Sequence, residues 1–537
     1  MSGAVAVDLT VIFVAILVLV SVANRIGVAY PIALVLGGVV LGYVPGIPPL
    51  AMPPELVLTI FLPPLLYWES VNAPTSEFFS ASGVWWIFQL AVGLVVITTL
   101  AVGAVAHALI PALAWGPALV LGAIVSSTDE VAFGPIVARI PLPRHVLATI
   151  EGESLVNDAT SLVLFGIGIT AIVSGTFSLP HAVGELVLSV AGALAIGAAA
   201  AFLCVAAWRF TKDDSLQALV SVMAPYIAYL PAQHVHVSGV LAVVTTGLVV
   251  THYTPVVLTP RARERGAGFW VNAVFVANAF IFVLVGMQFH EILAALHRFH
   301  PLQLLGYAIA ISLTVIVVRL LWVFGQGLLP ATNEPEHTEG KADWSHVAVL
   351  AWSGMRGGIS LAAALAIPLE TAAGPFPDRD LIIFLTFCVL IATLIGQGGT
   401  LPLLLRWLKV TDDGTDEREE RIALATTAKA ALKRLDERER SGEVPPEIAE
   451  LLRRRFRRRW SEFGADGETG EAARDAHLYR EFEADLIDAQ RKALLRLRRE
   501  GRVDNTVLRR VQRLLDLQAE ESQLLESTGH TDIETEA

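Results

Sequence analysis

Between residues 8 and 408 the chain is a succession of apolar runs, several of them as long as the roughly 20 residues a helix needs to cross a bilayer. Hydrocarbon offers no water to an unpaired N–H or C=O, so each run must close its own backbone hydrogen bonds as a helix. Pro, Gly and isolated charges punctuate the runs into thirteen candidate spans: 8–24, 28–43, 55–72, 83–110, 117–139, 145–174, 180–208, 214–232, 237–253, 267–287, 302–329, 345–366 and 380–408. A hydrophobic share of 54% and a mean hydropathy of +0.59 fit that reading and exclude an ordinary soluble globule. The expected fold class is therefore an all-α polytopic membrane protein.

Charge divides the chain in two. Residues 411–537 hold 24 Lys+Arg and 30 Asp+Glu, against 15 and 21 in the first 410. We expect a transmembrane domain over 1–410 and a helical tail over 411–537. In the tail, residues 416–440 and 491–525 place apolar residues at helical spacing among mixed charges, and 441–450 read as a turn. The basic run from Arg453 to Trp460 is either a solvated helix face or a contact with an anionic leaflet.

The opening residues read as a first spanning helix, not a removable leader. With the N-terminus outside, the inner loops carry Arg25, Arg139, Arg144, Arg209, Lys212, Arg261, Arg263, Arg265 and Lys341, and the outer loops only Arg298 and Arg379. That asymmetry obeys the positive-inside rule and puts the tail in the cytoplasm of a plasma-membrane protein. Cys204 and Cys388 lie in apolar runs and suggest no disulfide framework.

Three of the spans carry polar groups at mid-depth. In 145–174, "EGESLVNDATS" places Glu151, Glu153 and Asp158 where each charge costs at least a few kcal/mol unless it has a partner or a task. Asp158 lies about 20 Å along that helix from His145. Ser154, Asp158 and Ser161 share one face, and Glu153, Asn157 and Thr160 the adjacent one. The span 117–139 contains "VSSTDEVAFGP", with Thr128, Asp129 and Glu130 ahead of Gly134 and Pro135. In 345–366, "WSGMRGGIS" surrounds Arg356 with glycines. Interrupted helices expose carbonyls and helix ends to small ions. Arg356 needs a buried carboxylate, and Glu153 is the expected partner. Arg319, in "VVRLLWVF", is a further buried cation expected to be structural or to cap helix ends. Glu69 in "FLPPLLYWESVN" faces either the interface or the cavity.

Carboxylates, hydroxyls and carbonyls are hard ligands suited to Na⁺, Li⁺ or K⁺ rather than zinc or copper. A buried carboxylate is costly to leave charged and bare, so it takes up either a proton or a cation. Mutually exclusive occupancy of one site that opens alternately to each side is ion/proton exchange. An intramembrane aspartyl-type enzyme and a channel are the competing classes; the sequence offers no further support for a catalytic dyad.

"GESLVNDATSLVLF", "SSTDEVAF", "WSGMRGGISLAAALAIP" and "FWVNAVFVANAFIFVLVGMQF" together resemble the sodium/proton antiporters of the monovalent cation/proton antiporter family, NhaP-like branch, related to the eukaryotic exchangers. The resemblance runs from residue 8 to about 408. It implies a thirteen-helix fold of two inverted repeats with two broken crossing helices, usually homodimeric. It also implies Na⁺ or a proton at Asp158, with Asp129, Ser154 and the Thr128 carbonyl as ligands, Asn157 beside them and Glu69 nearby, and a structural pair of Glu153 with Arg356. Glu130 stands where the family often has Pro and adds a candidate carboxylate. No cofactor and no nucleic acid is implied, only the bilayer, monovalent cations and protons. An Asn instead of a second Asp at position 157 leaves one titrating group on that face, so exchange is expected to be electroneutral, for Na⁺ or alternatively K⁺.

Overall fold

The computed structural model describes residues 2–44, 54–73, 81–111, 113–129, 133, 142–174, 179–328, 344–371, 374–410 and 414–463, with scattered helical residues between 486 and 517. The chain forms two compact units, Met1–Thr411 and Asp412–Ala537.

The first unit is almost wholly helical. Its elements are α1 (Ser2–Ile26), α2 (Tyr30–Gly42), α3 (Pro54–Asn72), α4 (Ala81–Phe88), α5 (Val95–Leu109), α6 (Trp115–Ser126), α7 (Arg144–Ser174), α8 (Leu179–Phe210), α9 (Asp214–His234), α10 (Gly239–Val257), α11 (Pro260–Ala295), α12 (Pro301–Gly327), α13 (Trp344–Trp352), α14 (Gly358–Leu365), α15 (Arg379–Ile391) and α16 (Gly399–Leu408). A π-helical turn, Gln89–Leu94, joins α4 to α5, and another, Ala392–Gly398, joins α15 to α16. β1 (Glu370–Thr371) and β2 (Gly374–Pro375) form a minimal antiparallel hairpin. Among the described residues, eight helices are long and apolar enough to cross a membrane, and shorter apolar helices accompany them.

Helix starts follow from local chemistry. The Asp213 side chain accepts from the N–H groups of Ser215 and Leu216, Ser238 from Leu241 and Thr259 from Ala262. These bonds occupy donors that a helix N-terminus leaves over. His300 and Gln303 close a reciprocal capping box ahead of α12, with Pro301 at the first helical position.

Two apolar cores hold the unit together. One gathers α5, α6, α12 and α15 through residues such as Val102, Leu121, Ile124, Ile311 and Leu385. The other gathers α3, α8, α9 and α10 through Leu66, Ala200, Trp208, Ala228 and Val243. Glycine sets the closest approach. A Cβ on Gly286 of α11 would stand 2.4 Å from the Val35 carbonyl oxygen of α2, and one on Gly38 2.5 Å from that of Val283. In lipid, where burying apolar surface brings helices together only weakly, such close packing is a main source of helix association.

The structure locates the interruptions expected in two spans. The span 345–366 is two half-helices, α13 and α14, separated by residues 353–357 around Arg356. The span expected over 117–139 closes its regular helix at Ser126, and Ser127 is already extended. In both cases polar and glycine-rich sequence outweighs the apolar length. Glu130, with Gly134 and Pro135, lies outside the described residues.

In the second unit α17 (Thr415–Arg440) and α18 (Pro446–Phe463) pack side by side. The helix begins at Pro446, inside the segment expected to be a turn, because proline's fixed φ suits the first helical position. Arg453 reaches from α18 to Asp436 and Glu439 of α17 at 3.0 and 2.5 Å. On the same helix Arg454 and Arg453 hold the Glu450 carboxyl below its ordinary range. Of the basic run, the side chains from Arg457 to Trp460 lie outside the description.

Gly286→Ala is expected to lower thermal stability by about 1–3 kcal/mol, the usual cost of overpacking. Gly306→Ala on α12, where a Cβ meets nothing within 4 Å, is expected to hold or raise it by up to about 1 kcal/mol. Thermal melts of the detergent-purified protein check the contrast.

Candidate functional site: a crossing of two broken helices

α6 stops at Ser126 and α13 stops at Trp352, and the two interrupted stretches, 127–129 and 353–357, meet. The Asp129 N–H donates to the Met355 carbonyl at 2.9 Å. Its side chain crosses over, and Oδ2 accepts the Gly358 N–H at 2.9 Å, at the start of α14. In return Arg356 sends Nη1 back to the carbonyl of Ser126, the last residue of α6. A negative side chain thus sits at a helix N-terminus and a positive one at a helix C-terminus, each supplied by the other broken helix. The Arg356 N–H is held by the Thr393 hydroxyl at 3.1 Å. Gly357 is needed here: a Cβ would lie 1.4 Å from Asp129 Oδ2.

α7 lies against this crossing and brings its acidic face to it. Ser127 donates its hydroxyl to Asp158 Oδ1. The Ser154 hydroxyl donates to the Thr128 carbonyl at 3.0 Å. Asn157 donates its amide to Thr128 Oγ1 at 2.5 Å, and that hydroxyl in turn donates to Glu153 Oε1 at 3.3 Å. All these side chains are buried, Asp158 and Asn157 to 1% exposure. Among the described residues Asp158 Oδ2 and Asn157 Oδ1 meet no hydrogen-bond donor, so two acceptor oxygens on consecutive residues are left over. A buried acceptor without a donor carries a penalty of about 1–3 kcal/mol, more for a charged one. A proton or a bare cation relieves it.

Glu153 was expected to pair with Arg356; the structure pairs it with Arg319. Arg319 of α12 meets both carboxylate oxygens, Nη1 on Oε1 and Nη2 on Oε2, the latter at 2.9 Å. The same guanidinium donates to the Leu350 carbonyl from Nε and Nη2, at 3.2 and 2.8 Å. The reason is geometric. α12 points the two terminal nitrogens of Arg319 at the carboxylate, where the planar fork binds both oxygens, while Arg356 is committed to the open end of α6. The pairing was legible in principle: Arg319 is the other arginine deep in an apolar span and needs a countercharge as much as Arg356 does.

Of the residues expected at the site, the structure gathers Thr128, Asp129, Glu153, Ser154, Asn157, Asp158 and Arg356. Glu69 is buried on α3, which packs against both α7 and α14. Ser127 and Thr393 were missed. Ser127 lay in the quoted "VSSTDE" but was indistinguishable from Ser126, and Thr393 sits in an apolar run with no local polar signal.

Removing Arg319 strands a fully buried carboxylate and uncaps Leu350. Arg319→Ala is expected to destabilise by about 3–5 kcal/mol, and replacing Arg319 and Glu153 together by Met and Leu should restore most of the loss. Thermal unfolding of the two variants decides: equal stability of single and double variants would mean the pair is not what holds α7 to α12.

Comparisons with known proteins bear on the whole first unit. Residues 11–407 match the family model described as the transmembrane sodium/hydrogen exchanger. An uncharacterized Na⁺/H⁺ exchanger of Mycobacterium bovis is 34% identical over 541 residues, covering 96% of each chain. The sodium, potassium, lithium and rubidium/H⁺ antiporter of Bacillus pumilus is 33% identical over 73% of this chain and 61% of its own. Among solved structures, the sodium proton antiporter MjNhaP1 of Methanocaldococcus jannaschii shares the fold with a TM-score of 0.58 at 19% identity, over 75% of this chain and 99% of that one. The chain belongs to the sodium/hydrogen exchanger family: it is a multi-pass membrane antiporter of cations and protons, not an enzyme.

Proposed function

We propose that this protein exchanges one Na⁺, or Li⁺ or K⁺, for one proton across the plasma membrane by alternating access, in the service of pH and sodium homeostasis. The observation that carries the reading is a pair of buried oxygens beside the crossing, Asp158 Oδ2 and Asn157 Oδ1, that meet no donor among the described residues. In this reading Asp158 holds either the proton or the cation. On cation binding Ser127 releases Asp158 Oδ1, and the Ser154 hydroxyl turns from the Thr128 carbonyl so that both become ligands. Asp129 turns its other carboxylate oxygen to the ion while Oδ2 stays on Gly358, and Glu69 lends negative charge from α3. A relative named for sodium, potassium, lithium and rubidium exchange supports a site built for monovalent ions.

The same proposal extends to the architecture: thirteen spans in two inverted repeats, a homodimer, the N-terminus outside and the charged tail in the cytoplasm. The positive-inside asymmetry of the loops supports the orientation. The division of the chain at Thr411 is consistent with a separate tail.

Electroneutrality follows from the neighbours of Asp158. Asn157 cannot titrate, and Glu153 is bound in a two-point bridge to Arg319. One proton and one monovalent cation then share one carboxylate. Glu130 is the remaining candidate for a second proton.

In everted vesicles, addition of Na⁺ or K⁺ is expected to dissipate an imposed ΔpH through the wild-type protein and not through Asp158→Asn. Cation-dependent dissipation by a well-expressed Asp158→Asn protein would sink the assignment. In proteoliposomes the Na⁺-driven proton flux should ignore an imposed voltage; a flux that scales with voltage would mean a second titrating group, and Glu130→Gln would be the first variant to make.

A further inference from the structure

Away from the crossing, two helices distant in sequence bring imidazoles together. His145 and His346 lie in the first turns of α7 and α13, and their ring nitrogens Nε2 and Nδ1 stand 3.1 Å apart. The ring centroids are 4.7 Å apart and the planes are inclined at 69°. His145 is exposed and His346 half-buried. The antiport chemistry makes no use of either: Asp158 is thirteen residues further along α7, roughly 20 Å away along the helix axis.

We propose that His145 and His346 form a two-histidine site for a borderline-soft divalent ion, of which Zn²⁺ is the model. Two imidazole nitrogens bound to one tetrahedral zinc at about 2.0–2.1 Å stand about 3.3 Å apart. The observed 3.1 Å is within a few tenths of that. In the hydrogen-bonded pair one nitrogen donates to the other. On metal binding the donor ring moves its proton, through water, from the bridging nitrogen to its other nitrogen, so both rings stay neutral and both lone pairs converge on the ion; the rings must turn slightly, and the exposed His145 ring is able to. Water completes the coordination at this wet helix end. Nitrogen ligands select zinc, nickel and copper over sodium, calcium or magnesium, so the site is chemically separate from the oxygen-lined crossing. Arg144 adjoins His145 in the chain and opposes a cation, which limits affinity. Among the described residues no set of three or more His, Cys, Asp or Glu is grouped for a metal, so this is a weak, exchangeable site and not a structural zinc centre. Its effect is mechanical: the ion ties the start of α7, the helix that carries Asp158, to the start of α13, the helix that leads into the break.

The test is a zinc titration of the full-length protein in detergent, purified without a histidine tag and in a non-coordinating buffer, read by thermal unfolding. Zinc is expected to raise the melting temperature saturably, magnesium to leave it unchanged and EDTA to reverse the gain. The gain should shrink as pH falls through the imidazole range, because protonated rings cannot ligate. His145→Gln and His346→Gln should each raise the half-saturating zinc concentration by at least the roughly 10–100-fold that losing even an outer-shell partner costs. Pairing His145→Cys with His346→Cys should keep the response, since thiolates also bind zinc. An unchanged zinc response in both glutamine variants would place binding at other histidines and overturn the proposal, as would no zinc response in the wild type. If either glutamine variant fails to fold, the double cysteine variant decides: loss of the zinc response in a folded protein overturns the site.

Discussion

A helix broken inside hydrocarbon leaves carbonyls at one end and N–H groups at the other with no water to meet them, and the rest of this structure depends on how those ends are satisfied. The two broken helices solve the problem for each other. Asp129 takes an N–H at the start of α14 and Arg356 takes the last carbonyl of α6. Neither break is stable without the other, so the crossing forms as a unit. Gly357 admits the carboxylate and Thr393 pins the Arg356 backbone. The same economy that seals the helix ends concentrates hydroxyls, carbonyls and carboxylates at one place in the membrane unit.

α7 adds the chemistry. It is bolted to α12 by the Glu153–Arg319 bridge, and α12 is in turn tied to α13 where Arg319 meets Leu350. The bridge therefore fixes the depth at which Asp158 faces the crossing. Thr128 links the two systems: its carbonyl accepts from Ser154 and its hydroxyl stands between Asn157 and Glu153. The consequence is a division of labour between two acidic residues five positions apart on one helix. Glu153 is neutralised inside the protein, while Asp158, with one oxygen on Ser127 and the other meeting no donor among the described residues, keeps an unmet demand for positive charge.

Much of this was legible in the sequence because membranes simplify the code. Apolar length locates spans, and any polar residue inside one must be accounted for, so Asp158, Asp129 and Arg356 stood out at once. Pairing was less legible. Glu153 was assigned to the arginine in the more conspicuous motif, whereas the decisive fact is which helix points both terminal guanidinium nitrogens at the carboxylate, and that depends on packing between residues 166 positions apart. Ser127 and Thr393 were invisible for a different reason: small hydroxyls are common in spanning helices, where they usually bond to their own backbone, as Thr99 and Thr160 do here. The helix boundaries at Ser126 and Trp352 fall where polar and glycine-rich residues begin, but the sequence shows only that a break is near, not the residue at which the helix ends.

The central claim is that a proton and a cation compete for one carboxylate. Its most direct measurement is the apparent KM for Na⁺ in proteoliposomes as pH is varied symmetrically on both sides. Competition at Asp158 predicts that KM rises about tenfold for each unit by which pH falls below the protonation range of the site, with the maximal rate unchanged, because the ligand must lose its proton before it binds the ion. A KM for Na⁺ that stays constant across pH while the maximal rate falls would contradict a shared site and place the proton on another group.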